Sequence, residues 1–549
     1  MMPKFFEMVR SKEIKKEQLI KDIMSGIIVA IIALPLSIAL AIASGVSPER
    51  GLITAIVAGF IISFFGGSKV QIGGPTAAFV IIIYGIIQSY GMNGLIVATI
   101  MAGVMLILMG VLKLGGLIKY VPSTITVGFT SGIAVTLLVT QLKDLFGLTI
   151  ENVPAEFFPK IQCYIANIST VNLVSLLLGV GCILIMIGWS KINKTIPSSI
   201  IALIISTLIV QVFNLPVDTI GSRFLNLSSA IPKPTIPVID MQTIIVLIKP
   251  AFTIAILAAI ESLLSAVVAD GMIDDSHNSN MELIAQGLGN IGSALFGGIP
   301  ATGAIARTAA NVKNGGKSPI SGMVHAVTLL LIMSLLMPLA KMIPMTTLAA
   351  ILIVVAYNMG EWSTFKKLLK APKSDVIVLI LTFVLTVVFD LVVAIKIGMV
   401  IAMFLWIRRL ANTTEIKRNT CKDVMDKESG EVIAINSKDI LTYEVNGPFF
   451  FGVVQEFINK ISTINTSAQV ILLDMRHVQA MDVSAISALD KLYVFCKKHN
   501  IELILVNIQK QPYKALKKIN FADKLEELVF DSKFEGIKAA NEYIKEKAV

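Results

Sequence analysis

Read along its length, the chain alternates apolar runs of about twenty residues with short polar stretches as far as Leu410, and then changes character. Runs of spanning length fall at 22–43, 51–66, 93–112, 123–142, 171–188, 197–213, 247–268, 319–338, 344–358, 374–391 and 393–410. Three more, at 75–90, 283–296 and 302–312, are short or broken. Two of the short runs begin at Gly/Pro interruptions, QIGGPTAAFV at 71–80 and GGIPATGAIART at 297–308. Hydrocarbon holds no water to satisfy a broken backbone, so non-helical chain at membrane depth is stable only against protein or a solvated cavity. Two half-helices that begin near the midplane direct their unpaired first N–H groups and dipole ends at one place. Such a place favours an anion.

The runs total fourteen, an even number that returns the C-terminus to the side of the N-terminal arm, residues 1–21. The interruptions lie about 226 residues apart, each after a long run and one further segment. This order predicts two repeats, 22–213 and 247–410, of seven segments each. An odd repeat length forces the second copy to enter the membrane inverted. Residues 411–437 read as a polar linker, and 438–549 as a small soluble domain. Within that domain VILLDM (470–475) and IELILVNI (501–508) read as buried strands. Between them, 483–499 places Ile486, Leu489 and Leu492 at helical spacing, which predicts an α/β domain.

Composition supports the membrane assignment: 55% of the 549 residues are hydrophobic and the mean hydropathy is +0.79, which excludes a water-soluble globular protein. The formal charge of +10 is unevenly spread. From Lys438 onward 15 Lys/Arg face 14 Asp/Glu, so nearly all the excess lies upstream. It gathers at Lys113 and Lys119, Lys191 and Lys194, Lys313 and Lys317, and Lys366, Lys367, Lys370 and Lys373, each set between apolar runs. That is the positive-inside pattern, not a nucleic-acid footprint, and it predicts a cytosolic N-terminal arm. Cys163, Cys182, Cys421 and Cys496 have no CxxC spacing, and the four histidines are scattered, so neither a disulfide framework nor a metal site is expected. No Walker motif is present, and an enzyme is not expected.

Three stretches carry a family resemblance. ALPLSIALAIASGVSPERGLITAIVAGFIISFFGGSKVQIGGPTAAFV and NMELIAQGLGNIGSALFGGIPATGAIARTAANVKNGGKSPISG resemble the two signatures of the SulP sulfate permease family. LLDMRHVQAMDVSAISALDKL is similar to the core of a STAS domain. The resemblance implies a fourteen-helix inverted repeat like that of the uracil permeases, divided into a transport core and a gate and usually assembled as a homodimer, with a cytosolic STAS domain. It implies an anion site between the starts of the third and tenth helices, matching Gly74, Pro75, Thr76 and Ala77 in one half and Thr302, Gly303, Ala304, Ile305 and Ala306 in the other. Arg307 aligns with a basic residue that some members carry behind the site. On the facing first helix, Leu36 and Leu40 stand where other members place Gln or Phe.

Glu261 is the only acid in the apolar body of its segment, AFTIAILAAIESLLSAVVAD, and a buried carboxylate there is costly enough to imply a role. The resemblance sets it beside the anion site. There it would bind a coupling proton or sodium ion with Ser265 and Thr302, or else pair with Arg307. No other cofactor is expected. Ser484, two residues after Asp482, matches the serine phosphorylated in anti-sigma antagonists; the alternative is a helix N-cap formed by Asp482 or Ser484. A phosphoserine would bring a regulatory partner. The leading expectation is secondary active transport of a small anion, sulfate or bicarbonate first, through the cell membrane by cation symport with elevator-type alternating access. An uncoupled anion channel, an exchanger and an anion sensor signalling through the STAS domain are the alternatives.

Overall fold

The computed structural model describes residues 2–116, 121–192, 197–224, 227–230, 232–237, 241–389, 391–419, 423–425, 431–435, 439–462, 468–519, 521 and 529–548. Cys421, Lys119 and Lys194 lie outside them, as do parts of the stretch 411–437. The chain divides into two compact units, Met1–Met399 and Val400–Val549.

In the first unit, α1 (Lys4–Arg10) precedes α2 (Lys16–Ala43) and α3 (Pro48–Phe65), and a two-residue strand β1 (Gly73–Gly74) leads through a 3-10 turn (Ala77–Phe79) into α4 (Val80–Val111). Helices α5 (Ser123–Phe146), α6 (Phe157–Ala166), α7 (Leu173–Ile192), α8 (Ser198–Phe213) and the single turn α9 (Ile220–Arg223) follow. The second half runs α10 (Met241–Ile273), α11 (Ser279–Leu295), β2 (Thr302–Gly303), α12 (Ile305–Lys313), α13 (Ile320–Ala340), α14 (Met345–Met359), α15 (Trp362–Leu368), α16 (Lys373–Val388) and the start of α17 (Leu391–Thr413), within which the division between the units falls. Every segment expected from hydropathy has its helix. The runs 75–90 and 93–112 meet inside α4 at Gly91, whose φ of 66° and ψ of −170° break the helix in a conformation open almost only to glycine. Seven segments on either side of the 214–240 connection give the fourteen-segment inverted repeat. The short α6 and α15 were not expected; at ten and seven residues they are too short to span.

The helices form two groups. In one, α4 packs on α10 and α11, and α3 on α11 and α13; in the other, α5 packs on α14 and α16, and α7 on α8 and α14. Helix α2 belongs with α3 and α13 but also touches α8 and α14. Small residues allow the close approaches: a methyl on Gly103 or Gly287 would overlap the facing backbone of α11 or α4.

In the second unit, β3 (Glu415–Asn419), a hairpin of β4 (Asp423–Met425) and β5 (Val432–Ala434), β6 (Ile440–Asn446), α18 (Phe451–Ser462), β7 (Val470–His477), α19 (Val483–Lys498), β8 (Glu502–Val506), α20 (Lys510–Lys518), β9 (Val529–Phe530) and α21 (Lys533–Ala548) follow in order. The sheet runs β3-β6-β7-β8-β9, parallel except for β3. Alternation along β7 places Ile471, Leu473 and Met475 in one core with α18 and α19, and Val470 and Leu472 in a second core with Ile537 and Ala540 of α21. This is the expected α/β STAS architecture. The reading of 411–437 as a linker is corrected: 415–419 form an edge strand of the sheet, and 423–425 with 432–434 form the hairpin. The edge strand EIKRN buries only Ile416 deeply, so no apolar alternation announces it.

Candidate functional site

The two interruptions lie side by side. Gly73 pairs with Gly303 and Gly74 with Thr302 in an antiparallel ladder, and the Ala304 N–H donates to the Ile72 carbonyl at 2.9 Å. Each broken backbone therefore satisfies the other inside the helix bundle, where an unpaired peptide group costs several kcal/mol. From this junction the 3-10 turn into α4 begins after Thr76, and α12 begins after Ala304; neither start carries a side-chain cap. The first-turn N–H groups of both helices are therefore directed at the space before them.

Polar side chains brace the loops on either side. Asn290 of α11 donates to the Ala301 carbonyl and accepts from its N–H, at 2.8 and 2.9 Å. Thr54 of α3 accepts from the Ile299 N–H at 2.7 Å. Thr308 of α12 accepts from the Ile72 N–H at 3.1 Å, and Asn311 donates to the Val70 carbonyl at 2.8 Å. Glu282 of α11, fully buried, accepts from the Gly67 and Ser68 N–H groups at 2.9 and 3.2 Å.

Arg307 is the cation of the site. It is 3% exposed, and its Nη2 donates both to the Ser37 hydroxyl of α2 at 3.3 Å and to the Pro75 carbonyl at 3.2 Å. Its Nη1 has no hydrogen-bond partner among the described residues. A side chain on Gly74 would overlap this guanidinium, so glycine is required there for the approach. Arg307 thus spans from the second half-helix to the start of the first.

Glu261 of α10 accepts a hydrogen bond from the Thr76 hydroxyl at 2.9 Å and is partly exposed. The structure gives no Glu261–Arg307 ion pair among the described residues. The set expected around a coupling cation is split. The Thr302 hydroxyl bonds to Ser262 at 2.7 Å and to the Ala258 carbonyl at 3.1 Å, and Ser265 donates to Thr308 at 3.4 Å, so among the described residues only Thr76 joins the Glu261 carboxylate directly. Leu40 is buried in the same apolar cluster as Ala77, whereas Leu36 packs against Cys182, Met186 and Ile351 of α7 and α14. Ser37, between those two leucines, is the α2 residue that touches Arg307. Ile305 and Ala306 face outward from the packed core, while Arg307 and Thr308 point inward.

Several residues here carried no sequence signal beyond polarity. Among the described residues, Gln71, 4% exposed with its amide against Gly303, has no partner at either end, and His325 of α13, fully buried, has none at either ring nitrogen. Ser262, adjacent to Glu261, binds the Gly303 N–H at 3.1 Å and was identifiable only by that adjacency. In the second unit, Asp482 caps α19 through the Ala485 N–H at 2.9 Å and also accepts from the Phe451 N–H at 3.0 Å, leaving Ser484 in the first turn.

Comparison with known proteins agrees with this architecture. The sulfate permease family profile matches residues 19–382, and the STAS domain profile matches 431–535. The Bacillus subtilis protein YvdB, provisionally named a sulfate transporter, is 39% identical over 92% of this chain and 94% of its own length. The bicarbonate transporter BicA of Picosynechococcus is 30% identical over 91% of this chain and 90% of its own. Among solved structures, the murine Solute Carrier 26 family member A9 anion transporter superposes with a TM-score of 0.86 at 18% identity, over 98% of this chain and 94% of that one. The BicA transmembrane domain covers 71% of this chain and 98% of its own, with a TM-score of 0.63 at 30% identity.

Proposed function

The chain belongs to the sulfate permease family, and from that membership and the geometry of the helix junction we propose that it is a secondary active transporter of a small anion of the sulfate or bicarbonate class. Its substrate binds at the amide ends of the 3-10 turn after Thr76 and of α12, within the field of Arg307. The observation that carries this reading is the ladder Gly73–Gly303 and Gly74–Thr302, which sets two uncapped helix starts together beside one buried cation and one acid. An anion there gains N–H donors already desolvated and held in place, so little reorganisation opposes binding.

Glu261 is the coupling group, taking up a proton or a sodium ion when the anion binds. Its bond to Thr76 links the two ligands, because Thr76 immediately precedes the first helix start. Elevator-type movement of the α2–α4 and α10–α13 group against the α5, α7, α8, α14 and α16 group carries the site across the membrane. The protein works as a homodimer in the cell membrane, with its N-terminal arm and STAS domain in the cytosol. Phosphorylation of Ser484 by a regulatory partner is retained as the alternative to a purely structural STAS domain.

Uptake by purified protein in proteoliposomes tests the whole reading. Wild type accumulates sulfate or bicarbonate above electrochemical equilibrium under an imposed pH or sodium gradient, whereas Glu261→Gln loses gradient-driven accumulation and keeps downhill flux. Accumulation by Glu261→Gln equal to wild type removes the coupling role. Flux that never exceeds equilibrium in wild type, for every anion tried, identifies a channel instead.

A further inference from the structure

At the C-terminal ends of α2 and α5 the membrane unit holds a cavity of about 120 Å³, walled also by the first turns of α4 and by α6. Three cations line it, Lys143, Lys160 and Arg223, against one carboxylate, Asp144. Two of the cations are engaged: Arg223 pairs with Asp144 at 2.9 Å, and Lys143 donates to the Ile150 carbonyl at 2.5 Å. Lys160 of α6 is different. The residue is 5% exposed, and its ammonium makes no hydrogen bond and no ion pair among the described residues; its neighbour is the Tyr84 ring, 5.6 Å away at the centroid. The Tyr84 hydroxyl is itself committed, donating to the Val153 carbonyl at 2.7 Å.

A lysine ammonium enclosed to this degree without a counter-ion is unfavourable, and a cation–π contact returns only part of the lost hydration. Burial accordingly lowers its pKa to about 8. Bound anion would supply the missing acceptor, and the field of Lys143 and Arg223, only partly cancelled by Asp144, would attract one. Position adds to the argument. Tyr84 lies eight residues beyond Thr76 on the same half-helix, roughly 12 Å along it at 1.5 Å per residue, so this cavity and the junction with β2 are lined by the same helix.

We propose that Lys160 forms a second anion site in this cavity, holding a small oxyanion such as sulfate or bicarbonate on its way to or from the helix junction. The proposal rests on the reading that the chain moves small anions, but a chemical test of occupancy does not require transport. Purified full-length protein is treated with acetic anhydride at pH 8, where part of the Lys160 amine is neutral, and acetylation is measured by peptide mass spectrometry. Sodium sulfate or sodium bicarbonate replaces sodium gluconate at constant ionic strength. Labelling of Lys160 is expected to be lost along a saturating curve while that of exposed Lys12 stays constant; labelling of Lys160 that does not respond to either anion overturns the site.

In proteoliposomes, Lys160→Gln is expected to raise the half-saturating anion concentration about tenfold with the maximal rate kept, and Lys160→Arg to restore it, as the loss of one charge-assisted contact predicts. An unchanged half-saturating concentration in Lys160→Gln also overturns it. Absence of uptake by wild type would count against the transport reading alone, since the labelling result still decides whether the cavity takes an anion.

Discussion

At Gly74 the chain leaves β1 through Pro75 and Thr76 and takes a 3-10 turn before α4 begins, whereas at Gly303 it passes through Ala304 alone into α12. The helices that follow differ more. Most of α4 is apolar, and no charged side chain lies along it. Helix α12 has nine residues and buries Arg307, Thr308 and Asn311. The first break thus contributes backbone and one hydroxyl, which goes to Glu261; the second contributes the cation, which reaches back to Pro75. The backbone device recurs in both halves, but the charge on which an anion would depend sits in one. The amide cradle is close to symmetric, and its electrostatics are not.

The largest effect should come from removing that one-sided charge. Arg307→Gln deletes the contacts to Ser37 and Pro75 and leaves the anion with amide dipoles only. Losing a desolvated charge contact typically costs about 2–5 kcal/mol, so the half-saturating anion concentration should rise at least roughly thirtyfold. Arg307→Lys should recover little, because a shorter side chain ending in a point-like ammonium lacks the planar fork by which the guanidinium holds Ser37 and Pro75 with Nη2 and keeps Nη1 for substrate. Measured uptake by Arg307→Gln within threefold of wild type, in protein whose thermal unfolding is unchanged, would make the asymmetry a structural detail.

The backbone half of this comparison was legible in the sequence, because Gly and Pro inside apolar runs announce broken helices wherever they occur. Much of the side-chain half was not. Arg307 and Glu261 stand out as charges in apolar surroundings, but nothing in their spacing says that Arg307 turns to Ser37 and Glu261 to Thr76. Sequence sets Thr302 beside the acid, whereas its hydroxyl serves Ser262, the next residue along α10, and the Ala258 carbonyl. Leu36 and Leu40 lie on one helix, yet α2 meets both helix groups, so neighbouring positions face different partners. In the second unit the buried parallel strands β7 and β8 were readable as apolar runs. The charged edge strand β3 was not, because one deeply buried residue in five leaves no period to detect.

Glycine offers a smaller effect that separates the junction from the kink in α4 by mechanism. A methyl at Gly303 would overlap the Gln71 amide and approach the Ser262 Cα at 3.2 Å, while a methyl at Gly91 meets nothing within 4 Å. Gly303→Ala should therefore destabilise by overpacking, about 1–3 kcal/mol, and Gln71→Ala in the same chain should return much of it. Gly91→Ala should cost a comparable amount, about 1–3 kcal/mol, through its backbone dihedrals alone, and no neighbouring truncation should relieve it. Thermal unfolding of the three variants reads both. Failure of Gln71→Ala to rescue Gly303→Ala would mean that backbone pairing, not side-chain room, demands glycine at the junction.

The two threonines give the finest division. Thr76→Val removes a hydroxyl with one bond, to Glu261, and Thr302→Val removes one with two, to Ser262 and the Ala258 carbonyl; each bond contributes about 0.5–1.5 kcal/mol net. Both effects are small, and the readout should differ. Thr302 is fully buried and ties β2 to α10, so its loss should lower thermal stability and leave the ratio of coupling ion to anion unchanged. Thr76 is partly exposed, and its loss should leave stability nearly intact while shifting the pH or sodium dependence of uptake. Should Thr76→Val lower only stability, the link between the first helix start and the acid would be structural, and the coupling role of Glu261 would have to act through another neighbour.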